Sequence, residues 1–178
     1  MRIKKGILLG FLMLALLVTT ILASYGGNNV RLQKAMDSFS NLIEKGTLDK
    51  LSLTIYYMDP ITLTRAPLSV DDLMNFSSVK KIVIHDINLE QHMDLFKQIT
   101  NAELKPVKNK SRIDARIYYF FETEESGNIF DVAMWGDHES VFVNGLEVER
   151  NEVFLNVVMP FLSEDALKDL EAYMGREG

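Results

Sequence analysis

The sequence predicts an α+β protein: a membrane-directed N-terminal helix, then one domain whose mainly antiparallel sheet ends in a four-stranded meander and is packed by helices. Three observations carry this. An unbroken apolar run from Gly6 to Ala23 follows the basic start Met-Arg-Ile-Lys-Lys. Apolar residues recur at helical spacing in segments flanked by capping residues. Four short runs of strand-forming residues between 113 and 149 are separated by turn sequences, among them Asn144-Gly145, the strongest short hairpin signal.

The N-terminal run is longer than the roughly 7–15 apolar residues of a signal peptide and near the shortest spanning helix of about 17. Cleavage after Ala23 would place Ile21 three residues back, where a small residue is wanted, so an uncleaved anchor is preferred to a cleaved signal. Arg2, Lys4 and Lys5 precede the run, which orients the N-terminus to the cytoplasm and the body outward. The expected organisation is residues 1–24 as signal anchor or signal peptide, 25–50 as an amphipathic linker helix and 51–178 as an extracytoplasmic domain. Secretion after cleavage is the alternative.

The 178-residue chain has a formal charge of −6; residues 1–24 hold three basic side chains and no acidic one, so the remainder carries −9. An acidic body of this kind argues against nucleic acid as a partner. Without a cysteine, disulfides, thiolate nucleophiles and cysteine metal sites are excluded.

Leu32, Met36, Phe39 and Ile43 form one stripe on a helix over 28–46, with Gly46 suited to its C-terminal cap. Leu51, Leu53, Ile55 and Tyr57 alternate with polar or mixed neighbours in a strand that Asp59-Pro60 ends. Ser69-Val-Asp-Asp has the form of a capping box opening a short helix through Phe76, and Lys80–His85 is a second strand. Asn88, with Gln91 three residues on, opens a helix that buries Leu89, Met93, Phe96 and Ile99. Asn151 caps a helix bearing Phe154, Val157, Val158 and Phe161, near whose end Pro160 lies, and Ser163 caps a last helix with Leu167, Leu170 and Met174 inward.

The strands at 113–123, 128–135, 140–143 and 146–149 have a register that can be tested against itself. A two-residue turn at Asn144-Gly145 pairs Val143 with Leu146 and Val141 with Val148. Four-residue turns at 136–139 and 124–127 then pair Met134 with Val141, Val132 with Val143, Phe121 with Phe130, Tyr119 with Val132 and Ile117 with Met134. Every pair is apolar, as one core-covering face requires.

The opposite face carries Arg116, Tyr118, Phe120, Glu122, Ile129, Asp131 and Trp135, with Arg116 opposite Trp135 in cation–π reach. The helix over 28–46 or a loop covers these aromatics; left open, Arg116, Tyr118, Phe120 and Trp135 are the candidate binding surface. A second candidate is the basic loop Lys105, Lys108, Lys110 and Arg112, which suits anionic head groups or an acidic envelope polymer. His85, His92 and His138 lack the spacing of a metal site, and no serine elbow or phosphate loop is present. No catalytic residue, metal or cofactor is expected. The rival to a binding role is a hydrolase with a site near His85 and His138, and a further one is an inhibitor or immunity-type protein.

Arg2-Ile-Lys-Lys with its leucine-rich run, then Lys80-Lys-Ile-Val-Ile-His and Val143-Asn-Gly-Leu in a cysteine-free body, resembles small exported or membrane-anchored proteins of unknown function from Gram-positive bacteria. The expected partners are the membrane, through residues 6–23, and an unknown protein or envelope component.

Overall fold

The computed structural model describes residues 30, 32–45, 51–85, 90–107, 112–135 and 140–174. The apolar run at 6–23, the cap position Gly46 and the helix opening at Asn88-Leu89 lie outside them. Among the described residues no helix is long and apolar enough to cross a membrane. The chain divides into two compact units, Met1–Lys34 and Ala35–Gly178. In the first, residues 30 and 32–34 are described and helical, with Val30 exposed and Leu32 buried.

Helix α1 occupies residues 32–45 and is followed by β1 (Leu51–Tyr57), α2 (Val70–Met74), β2 (Lys80–His85) and α3 (Met93–Thr100). The meander is β3 (Ile117–Thr123), β4 (Gly127–Met134), β5 (Ser140–Val143) and β6 (Leu146–Glu149), and the chain closes with α4 (Val153–Asn156) and α5 (Glu164–Met174). All six strands join one antiparallel sheet in the order β2-β1-β3-β4-β5-β6.

All the expected meander pairs are present, from Ile117–Met134 through Phe121–Phe130 to Val143–Leu146. Asn144 and Gly145 both take positive φ, 48° and 72°, which is the turn geometry whose twist matches flanking strands. The expected four-residue turn at 124–127 needs correction. Glu122 faces Asn128, not Ile129, because the β3–β4 loop is one residue shorter than four: Gly127 enters the left-handed region at φ 64° and a bulge interrupts the ladder. Strand β3 also begins at Ile117, since Ile113 and Ala115 belong to the packing of the second sheet face.

The first face is the core. Phe39 of α1 sits between Phe121 and Phe130, with ring centroids 4.8 and 5.0 Å away. Phe96 of α3 meets Phe121 edge-on at 5.3 Å, and Phe154 of α4 stacks near Phe130 at 6.4 Å. The phenols of this face find backbone acceptors on the helices: Tyr119 donates to the Phe154 carbonyl and Tyr57 to that of Ala166. Met36, Phe39 and Ile43 are buried, as the helical stripe required.

Helix ends follow their capping residues with small shifts. Ser69 and Asp72 form the reciprocal box, but α2 stops at Met74 because Asn75 folds back on the Asp71 carbonyl. A single 3₁₀ turn, Glu90–His92, precedes α3, which buries Phe96 and Ile99 and leaves Met93 half-exposed. Asn151 accepts from the Val153 amide, and a 3₁₀ turn containing Pro160 separates α4 from α5. The α5 face is rotated slightly from expectation: Ala166 and Leu170 are buried, with Leu167 and Met174 half-buried.

Candidate functional site

The second sheet face is ordered in cross-strand rows. Lys81, Tyr56, Tyr118, Ala133, Phe142 and Glu147 form the first row. Val83, Thr54, Phe120 and Asp131 form the second, and His85, Ser52, Glu122 and Asn128 the third. The connection from β1 to β2 crosses this face and covers the middle of the first row, from Tyr56 to Phe142, leaving Lys81 exposed. Met58, Leu68 and Leu73 from it bury Tyr118, Ala115 and Ala133 in a second apolar cluster. The cover is therefore this connection. Helix α1 lies on the other face, where its Phe39 completes an aromatic group that no connection supplies.

The four residues of the candidate sheet surface separate accordingly. Arg116 and Tyr118 are buried, while Phe120 and Trp135 are half-buried. The Arg116 guanidinium does lie over the Trp135 ring, 5.2 Å from its centroid, and Trp135 stacks on Tyr173 of α5 at 5.8 Å. Burial pushes the Tyr118 phenol up to about 12, with the Asp131 carboxylate adding to the effect, and desolvation likewise raises Asp131 above the usual carboxylate range.

Arg116 has a different part to play from the one its exposure would have given it. One terminal nitrogen donates to Asp114 Oδ1 at 2.9 Å, the other to Thr64 Oγ1 at 2.9 Å. The same Asp114 oxygen accepts from the Leu68 amide, and the Ala115 amide donates to the Leu68 carbonyl. At its start the loop is turned by Asp59, which accepts from the amides of Ile61 and Thr62. Residues 59–67 are thus tied at both ends and in the middle. Yet this ordered loop holds Ile61 and Leu63 in water, Leu63 at 96 % exposure, with Arg65 also exposed. In the sequence Asp59-Pro60 reads only as a strand end. The signal available was two large apolar residues spaced by one in a segment too short and too polar for a strand.

The third row has little chemical capacity. Ser52 donates a long hydrogen bond to Glu122, 3.4 Å, which leaves its hydroxyl directed to an acid and not to the imidazole of His85. His85 is exposed on β2, and His92 packs edge-on against Phe161 at 4.8 Å. His138 lies outside the described residues, among which no group of three histidine or carboxylate ligands converges. A shallow hollow lined by Trp135, Val141, Asn151 and Leu155 has a volume of about 20 Å³, room for a water molecule and far below a ligand cleft.

Of the basic loop, Lys105 pairs with Glu103 at 3.3 Å, Arg112 is exposed and close enough to Asp72 to stabilise its carboxylate, and Lys108 and Lys110 lie outside the described residues. Residues 105–107 do something charge alone does not suggest. They pair along β6: the Val107 amide donates to Glu147, the Glu149 amide to Lys105, and Pro106 bridges Val148.

The class these features define is an α+β domain with one helix-covered sheet face and one partly covered by a loop. No family model matches the chain, and neither a curated protein nor a solved structure is similar to it.

Proposed function

We propose that this chain is an extracytoplasmic domain, held at a membrane by residues 6–23, which acts by binding a protein or envelope component and not by catalysis. One observation supports this most: the 59–67 loop is fastened by a buried arginine, yet its apolar side chains Ile61 and Leu63 face solvent. Ordering a loop costs about 1–2 kcal/mol per residue in backbone entropy, and a fold gains nothing from placing Leu63 in water. A preorganised apolar contact is what binding gains from, because the ordering cost is met before the partner arrives. Arg65 beside it gives the partner a reason to carry an acidic group.

The absence of cysteine makes the test direct. A Leu63→Cys chain in intact cells should react with a membrane-impermeant maleimide; reaction only after lysis would refute the outside placement. With a photo-crosslinking residue at position 63, adducts should form that are missing when the same residue replaces Glu171. An identical pattern at both positions would remove the loop from the proposal.

A further inference from the structure

We propose that the outer edge of β2 pairs with β2 of a second copy of this chain, joining two six-stranded sheets into one of twelve. Three features point there. Strand β2 is the terminal strand of the sheet, and no described residue pairs with its outer side. At the opposite edge β6 is covered by residues 105–107, where Pro106 has no amide to offer a further strand. Among the described residues each copy thus has one open edge, and pairing through that edge closes as a two-fold dimer and does not propagate.

The strand is also complementary to itself. A two-fold axis normal to the sheet keeps every side chain on its own face, so a residue can only meet another of the same face. With Val83 on the axis, Val83 meets Val83, Ile82 meets Ile84, and Lys81 meets His85. Val83, 45 % exposed in the single copy, becomes covered. The Lys81–His85 pair is relieved because Lys81 leans inward over the Tyr56 ring of β1, 5.5 Å from its centroid. Centring on Ile82 instead would set Lys81 against Val83 and Lys80 against Ile84, leaving charges beside apolar side chains. The register centred on Val83 is therefore preferred.

The test uses the full chain in mild detergent. Paired residues on an antiparallel two-fold lie about 4.5–5.5 Å apart at Cβ, near disulfide geometry, and see each other at roughly millimolar effective concentration. A Val83→Cys chain should therefore oxidise to a dimer at least about tenfold faster than Leu63→Cys or Glu171→Cys chains. A mixture of Lys81→Cys and His85→Cys chains should yield the mixed dimer in preference to either homodimer. Val83→Lys should retain native circular dichroism and cooperative melting yet sediment as a monomer. A dimer held by the apolar run at 6–23 would not favour residue 83 over residue 63, and that outcome, or a wild-type chain that stays monomeric, overturns the proposal.

Discussion

Arg116 shows how far one residue's role depends on what covers it. The spacing of the meander places it opposite Trp135, and it is there, but the connection above it converts a would-be contact surface into a clamp. Arg116→Met should cost about 2–3 kcal/mol, the worth of its charged hydrogen bonds, and should speed proteolysis within 59–67; denaturant unfolding and limited digestion measure the two effects. Leu63→Asp, by contrast, should change stability by less than about 0.5 kcal/mol in the same denaturant unfolding, since the side chain is exposed to solvent. The buried phenols make a prediction at high pH. Burial raises Tyr57 and Tyr118 to about 12 and Tyr119 well above its ordinary value. A folded-state value above the unfolded 10 means full stability below pH 10 and progressive loss as pH rises toward 12. Tyrosinate absorbance should thus appear together with unfolding, not before it. Titration of these phenols with native circular dichroism intact would contradict their burial.

Elements whose partners are close in sequence were legible from sequence. Turn lengths set the register of β3 to β6, and the apolar pairs agreed; the one slip, Glu122 against Asn128, came from a glycine whose positive φ shortens a turn without changing composition. Gly145→Ala tests the tightest of these turns. An added Cβ meets nothing within 4 Å, so the cost is that of the left-handed backbone alone, about 1–2 kcal/mol by thermal unfolding. The α2 cap is similarly local. Ser69→Ala should cost about 1 kcal/mol. Its partner Asp72 is held below the usual carboxylate range by the Ser69 hydrogen bonds. The cap's contribution is therefore present above that range and lost as pH falls through the lowered value, and in Ser69→Ala this acid sensitivity should diminish.

At the scale of the molecule, sequence said less. That β1 lies between β2 and β3, and that the 58–79 connection rather than α1 covers Tyr118, depends on contacts between segments far apart in the chain, such as Ser52 with Glu122, 70 residues away. No turn specifies such a neighbour; it is chosen by which apolar surfaces fill one another. The helical stripe of α1 was clear, but a stripe does not say which face of a sheet it meets. Phe39→Ala, which empties the centre of the aromatic group, should destabilise the whole unit by about 3–5 kcal/mol in a single cooperative transition.

The position of β1 has a consequence in time. Its seven residues sit at the interior of the sheet, yet β3, the neighbour that makes them interior, ends at Thr123. A ribosome adding about 5–20 residues per second needs several seconds to pass from one to the other. Through that interval Leu51, Leu53, Ile55 and Tyr57 have β2 to pair with but no completed core to enter. The core can close around β1 only once β3 has been made, so the first strand of the sheet waits on the later half of the chain.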